Sequence, residues 1–432
     1  MSTSQPSRRE ILRGAVATTV VGPYVASSPS VLRRPGGSEM LKVGLIGCGG
    51  RGTGAAVNAL RADPNVKLWA MGDAFSDQLE SSLKSLTTSE DSADLKDKID
   101  VPPDRRFVGW DAYKGVIGCC DVILLATSPH FRPLHLAAAI EAKKHVFCEK
   151  PIATDAPGVR SVHDTCKRAA ELKLSLVSGL CYRYEHKKRE TIQRLRDGAV
   201  GDFVAMHTTY NAGALWHKGH KPEWSEMEYQ MRNWLYFTWL SGDHIAEQHI
   251  HSLDKLAWAM GDEYPARCLS TGGRAVRTEP EFGYVYDHFS TVYEWANGLK
   301  GFSYCRQFAG TVQTEVSDWI FGTRGRANIQ AAEIEAGPAW KWRWKGDEPD
   351  DMYQNEHDAL FAAIRKGEPI NNGEYMCKST LMALMGRMSA YTGQALTFEQ
   401  AWNSQESLAP KAYEWGPIAT PPVARPGVNQ FS

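Results

Sequence analysis

Residues 42–73 read KVGLIGCGGRGTGAAVNALRADPNVKLWAMGD. An apolar strand pattern (Val43, Leu45, Ile46) enters Gly47-Cys48-Gly49-Gly50-Arg51-Gly52 and leaves into a helical run through Leu60. A second strand pattern over 66–71 then ends on Gly72-Asp73. Each part has a physical task. Gly47 allows the tight turn, Gly49 lets a pyrophosphate approach the backbone, and Gly52 lets the helix lie close on the strand. The phosphates then face the free N–H groups of the helix N-terminus. Asp73 falls about 20 residues beyond the last glycine, where a carboxylate accepts hydrogen bonds from an adenosine ribose. A glycine-rich loop alone is common and says little. Strand, loop, helix, strand and terminal acid in this order predict a dinucleotide site. Asp73 repels a 2′-phosphate, which favours NAD(H) over NADP(H), with Arg51 as the one group that could offset the repulsion.

Working outward, strand and helix patterns alternate from residue 42 to about 182, as a doubly wound parallel sheet requires. Residues 121–127 form a nearly continuous apolar strand, 133–142 a helix and 145–149 the next strand. A helix over 159–172 and a strand over 174–180 follow the turn at Lys150-Pro151. Ligands collect at the carboxyl ends of such strands, which here carry Gly47, Asp73, Thr127 and Glu149-Lys150. Beyond residue 183 the pattern changes. A helix over 187–195 leads into strand-like segments at 203–210, 288–295, 299–308 and 316–321, with a hairpin signal at Asn297-Gly298. An aromatic-rich insertion, 213–240, has no clear period, and two late helices (351–366 and 379–391) precede a Pro-rich tail. The expected class is α/β. An N-terminal Rossmann sheet over 39–182 precedes a C-terminal α+β domain over 183–432, which holds a mostly antiparallel open sheet.

Composition narrows the function. A net charge of −1 argues against a nucleic-acid surface or a polybasic membrane patch, and 43% apolar residues are ample for proper cores. The chain holds 14 tryptophans, and their abundance in the second half is what a carbohydrate cleft uses, although core and interface packing is the better account of any single one. At the N-terminus, Ser7-Arg8-Arg9-Glu10-Ile11-Leu12-Arg13 precedes a mildly apolar run too short to span a bilayer. It is similar to a twin-arginine export signal, with cleavage expected near Val25-Ala26-Ser27-Ser28 and a linker reaching residue 38. The expected location is periplasmic, tethered if the signal is retained, with the twin-arginine translocase as a transient partner. Nine cysteines, several in apparent strands, form a reduced-type pattern suited to folding before export.

Two groups of residues can carry chemistry. Glu149-Lys150-Pro151 stands at a strand end where a nicotinamide should arrive, and a lysine there can donate to a substrate hydroxyl; the proline fixes the local chain, in a cis bond if the turn requires it. The second group is Asp243, Glu247, His251 and Asp254. Read as one helix, they make a polar stripe beside an apolar face of Ala246, Ile250, Leu253, Ala257 and Met260. This reading flanks His251 with a carboxylate one turn on either side, raising its basicity. A structural histidine satisfied by Asp254 is the competing reading. Metal binding is disfavoured, because His249 and His251 are two apart and point to different sides of a helix.

The glycine loop, Ala126-Thr127-Ser128-Pro129 with His135 downstream, Glu149-Lys150-Pro151, and the acid-x-x-x-His-x-x-Asp helix together resemble the Gfo/Idh/MocA oxidoreductases, the superfamily of glucose–fructose oxidoreductase and inositol dehydrogenase. The resemblance implies that Lys150 is the catalytic lysine and His251 the general base, with Glu247 in the place of the family's usual aspartate. It also implies NAD-dependent hydride transfer at a hydroxyl carbon of a sugar, sugar derivative or polyol, and a homodimer or homotetramer formed through the second domain's open sheet. The run Ser241-Gly242-Asp243-His244 departs from the family's glycine run. Gly47, Gly49, Arg51, Gly52, Asp73, Thr127, Glu149 and Lys150 are the expected cofactor residues. Tyr182, Arg183, Arg232 and Trp234 are the candidate sugar-facing wall, with Asp254 supporting the site. Two further classes stay open: a glycosidase or lyase that oxidises a sugar carbon transiently and returns the hydride, and a non-catalytic nucleotide-dependent binding protein.

Overall fold

The computed structural model of the protein describes residues 39–432 apart from 339, 347 and 348; the expected export signal lies outside the described residues. Six strands, β1 (Leu41–Ile46), β2 (Val66–Asp73), β3 (Arg106–Val108), β4 (Val122–Leu125), β5 (His145–Cys148) and β6 (Leu176–Ser178), form a sheet in the order β3-β2-β1-β4-β5-β6. All its pairings are parallel. The helices α1 (Gly50–Ala62), α2 (Ser76–Thr88), α3 (Ala112–Cys119), α4 (Arg132–Glu141) and α5 (Ala156–Glu171) connect the strands. Helices cover both faces of such a sheet, so its strands are apolar throughout: every residue of β4 is buried, and in β1 only Lys42 is not. Winding reverses between β1 and β4, which opens a crevice at their carboxyl ends.

After α6 (His186–Arg196), β7 (Phe203–Ala212) opens a second sheet. The insertion follows, containing α7 (Glu226–Arg232) and ending in α8 (Thr238–Ser241); α9 (His244–Glu247) and α10 (Ile250–Ala259) come next. The sheet then adds β8 (Arg267–Gly273), β9 (His288–Glu294), β10 (Lys300–Gln307), β11 (Glu315–Gly322), β12 (Gly325–Asn328), β13 (Glu333–Ala336) and β14 (Trp340–Arg343). The helices α11 (Met352–Lys366), α12 (Gly373–Thr392) and α13 (Phe398–Asn403) complete the chain, with β15 (Leu396–Thr397) at the sheet edge. The strand order is β14-β13-β12-β11-β7-β10-β9-β8-β15, antiparallel except for the central pair β7–β10. Asn297-Gly298 makes the β9–β10 hairpin, with Gly298 at φ +83°.

The late helices return to the first sheet. Leu360, Phe361 and Ile364 of α11 join the core that contains Leu41, Val43 and Leu45. Arg365 clamps Asp63, at the end of α1, through two hydrogen bonds of 2.6 and 2.8 Å.

The polar helix expected over 243–254 is two helices. α9 ends at Glu247, and α10 begins at Ile250. Asp243 is a buried N-cap at φ +70° that accepts from His244 N, Tyr286 N and the Tyr391 hydroxyl. It supports structure and takes no place on a catalytic stripe. α10 itself is buried nearly all round, so its charges are paired inside the protein. Lys255 meets Asp318 of β11 at 2.5 Å, with both side chains fully buried, and Asp318 also accepts from the Thr208 hydroxyl. Replacing Asp318 by Ala strands that ammonium in the interior. The expected loss is about 3–5 kcal/mol of unfolding free energy, read from urea denaturation followed by circular dichroism, against less than about 1 kcal/mol for an exposed control pair such as Arg194–Glu190.

Candidate active site

The glycine loop has the geometry that a dinucleotide needs. Gly47 sits at φ +95°, and a Cβ there would lie 2.5 Å from the Thr127 amide nitrogen. At Gly52 a Cβ would fall 1.9 Å from the Gly47 carbonyl oxygen, so the helix can approach the loop only without a side chain. Gly49 is different: nothing lies within 4 Å of the space its Cβ would take. α1 starts there with no side-chain cap and no acid in its first turn, leaving its leading amides for an anion. A cavity of about 680 Å³ opens over this turn, lined by Gly47, Gly49, Arg51, Gly52, Asp73 and Thr127 among others. The Thr127 hydroxyl is buried without a hydrogen-bond partner. These features fit a dinucleotide.

Asp73 ends β2 in the same cavity. Its oxygens accept from the amides of Cys48 (2.6 Å) and Phe75 (2.9 Å), which ties the acid to the glycine loop. Burial raises its pKa, and the amide bonds work against that shift. Arg51 does not stand beside Asp73. Its Nε lies 2.7 Å from Glu149 Oε1, and its guanidinium stacks 4.3 Å above the Tyr353 ring. Beneath Arg51, Glu356 of α11 is fully buried with both oxygens unpartnered, and burial and then the Glu149 charge push its carboxyl well above the usual range.

Lys150 follows β5 in a cis Lys150–Pro151 peptide. Its Nζ donates to Glu247 twice, to Oε1 at 2.9 Å and to the main-chain oxygen at 2.5 Å. The helix break makes the second bond available. In a continuous helix the Glu247 carbonyl would accept the His251 N–H, four residues on; here that N–H reaches back to the Gln248 carbonyl instead, at 3.5 Å.

His251 opens α10 with its ring edge-on to Tyr182, centroids 5.2 Å apart, and its Nδ1 is buried without a partner. The expected flanking carboxylates are not its partners. Glu247 faces Lys150, and Asp254 faces Arg183, which donates to it from Nε (2.9 Å) and Nη2 (2.8 Å), while Ser379 donates at 2.7 Å. Burial, and then the positive charges of Lys150 and Lys255, hold His251 well below its ordinary pKa of 6.5. The expected rise in basicity is thus reversed: the two nearest charges are cations.

The structure brings Lys150, Glu247, His251 and Tyr182 together. Four other residues lie elsewhere. Arg183 and Asp254 are consumed by their own buried pair, with side chains 7% and 2% exposed, and cannot face a sugar. Arg232 and Trp234 line the glycine-loop cavity, and Arg232 is held there by Asp77. Sequence reasoning missed Lys255 and Glu356. Lys255 was legible in principle, one turn after His251; nothing local marks Glu356, which α11 delivers from 200 residues away. Among the described residues, no group of three or more His, Cys, Asp or Glu is placed to hold a metal.

Residues 41–176 match the sequence model of the Gfo/Idh/MocA family, described as an oxidoreductase family with an NAD-binding Rossmann fold. The chain is 27% identical over 178 residues to 2,7-anhydro-N-acetylneuraminate hydratase of Escherichia coli, covering 41% of this chain and 43% of that protein. Over 187 residues it is 26% identical to inositol 2-dehydrogenase 3 of Saccharopolyspora erythraea, covering 43% and 48%. The matched segment spans less than half the length of either relative. Both domains share their fold with scyllo-inositol dehydrogenase of Lactobacillus casei, solved with NAD(H) and scyllo-inositol: TM-score 0.62 at 17% identity, over 84% of this chain and all of that one.

The electrostatics of His251 give a pH expectation. A depressed pKa means that the ring is already neutral at pH 6.5 and stays neutral above it. Nitrogen-15 NMR of the imidazole should show no titration of this residue between about pH 6 and 8. Replacing Lys150 by Met should move its titration upward. A wild-type midpoint inside that window contradicts the electrostatic reading.

Proposed function

From the match of residues 41–176 to the family model of the Gfo/Idh/MocA oxidoreductases, we propose that the whole protein oxidises a hydroxyl-bearing carbon of a sugar, sugar derivative or polyol. The observation that carries this reading is the junction of the Lys150 ammonium with Glu247 beside His251, at the strand ends that hold the glycine loop. NAD, held by Gly47, Gly49, Gly52, Asp73 and Thr127, supplies the hydride acceptor. His251 removes the hydroxyl proton, for which it must be unprotonated beforehand. Lys150 stabilises the negative charge that develops on the substrate oxygen, and Glu247 keeps the ammonium aimed. Tyr182, edge-on to His251, is the one candidate wall residue that remains beside the site. Asp73, with Arg51 turned away from it, favours NAD over NADP.

One comparison favours a second reading. The hydratase relative is named for a reaction with no net oxidation, which fits transient oxidation with the hydride returned to a glycoside or anhydro-sugar. Export through the twin-arginine pathway to the periplasm agrees with either reading, since that route carries folded, loaded proteins. We also propose a homodimer or homotetramer through the outer face of the second sheet. Leu269, Val292, Phe302, His207 and Trp319 stand in register across five strands there, and Leu269 is 49% exposed.

Replacing Lys150 by Met should lower kcat by about 10²–10⁴-fold while NAD binding, measured by calorimetry, survives. Undiminished turnover refutes the assignment. NADH accumulating with substrate supports net dehydrogenation, whereas cleaved or hydrated product without NADH supports the second reading. Replacing Leu269 and Phe302 by Glu should yield monomers in sedimentation velocity, and a wild-type monomer contradicts the proposed interface.

A further inference from the structure

The cavity over the glycine loop is not walled by the first domain alone. The insertion, residues 213–240, contributes Trp216, Lys218, Trp224, Arg232 and Trp234 to its lining. Arg232 is the anchor. It donates to both oxygens of Asp77, in the first turn of α2, at 3.0 and 3.1 Å, and to Glu228 at 2.8 Å. Its guanidinium lies 4.0 Å from the Phe75 ring centroid and 4.9 Å from that of Trp224. Phe75 and Asp77 directly follow Asp73, so this contact stands at the adenosine end of the cavity.

A third segment reaches the same end. Trp415, near the C-terminus, packs at a tilt against Trp110 and Phe75, with ring centroids 4.5 and 5.3 Å away. Its neighbour Tyr413 is hydrogen-bonded to His130 at 2.8 Å. The insertion is braced from within. Asn233 bonds to the Lys218 amide and to the carbonyls of Gly219 and Tyr229, and the Tyr236 hydroxyl donates to the Leu215 and Trp216 carbonyls. Met227, Tyr229, Leu235, Tyr236 and Phe237 form an apolar core with Tyr284 that also takes in Phe131 of the first domain. The roof is therefore a packed unit resting on the first domain.

We infer that the dinucleotide is a resident cofactor, which leaves only when the Arg232–Asp77 pair and the Trp110–Trp415 contact part. The inference rests on the proposed function and adds that release is governed by residues outside the nucleotide-binding fold. An exposed ion pair alone would be a weak latch, and Asp77 is 60% exposed. Here the pair is bidentate, shares its cation with two aromatic faces, and is joined by a second aromatic contact from the tail.

The test uses the full chain loaded with NADH. Release is followed by loss of nicotinamide fluorescence on mixing with excess NAD⁺, and retention by mass spectrometry of nucleotide remaining after gel filtration. The wild type should retain stoichiometric nucleotide. Arg232→Met and Asp77→Asn should each speed release roughly tenfold or more, and the double variant should match Arg232→Met alone, since Asp77 acts through Arg232. Trp415→Ala should speed release independently, with circular dichroism melts confirming that each variant is folded. Rapid wild-type release, or release rates unmoved by these variants, overturns the inference while leaving dinucleotide binding intact. No binding of NADH at all overturns both this inference and the reading on which it rests.

Discussion

The structure depends on one contact, between the Lys150 ammonium at the end of β5 and the last residue of α9. It joins the two domains at the point where chemistry is proposed, and it explains why the helix breaks. An unbroken helix would spend the Glu247 carbonyl on its own hydrogen bonding. The break after α9 leaves that oxygen free, and a cation at a helix C-terminus is a favourable partner for it. Burial lowers the pKa of His251 most, and the same ammonium, with Lys255, lowers it further. One ion pair thus holds the aim of the lysine and adds to the effect of burial on the histidine.

The interior around this contact holds an unusual density of charge. α10 is buried on nearly every side yet carries Asp254 and Lys255, each paired with a residue of another element: Arg183 after β6, and Asp318 on β11. Buried pairs of this kind add little net stability compared with apolar packing, but breaking one is costly. Their effect here is to fix the rotation of α10, and with it the direction of the His251 ring. Glu356 has no such partner among the described residues. Burial and then the Glu149 charge push its carboxyl well above the usual range, with Arg51 acting the other way.

Much of this was legible in the sequence because it is local. The strand–glycine–helix–strand run needs only its own spacing, and so do the Asn297-Gly298 hairpin and the lysine-proline turn after β5. What escaped depends on distant chain. The short strands β12–β14 lack enough residues for a clear period. The parallel pairing of β7 with β10 has no local mark, because the two strands are separated by the insertion and two further strands. The polar stripe over 243–254 matched helical spacing, but spacing cannot reveal that Arg183, far upstream, claims Asp254, or that the helix breaks after Glu247. The aromatic insertion had no clear period, and of its tryptophans only Trp234 was marked as a candidate sugar wall; three of them line the cavity over the glycine loop. An aromatic face suits either ligand, and only the fold assigns it.

The most direct test follows the hydrogen itself. Sugars and polyols deuterated at the carbinol carbon are mixed with the NAD-loaded protein, quenched within one turnover, and the nucleotide is weighed by mass spectrometry. The account predicts one deuterium on the nicotinamide ring for a substrate that the protein turns over. A nucleotide of unchanged mass, from a protein that converts the same substrate, contradicts it.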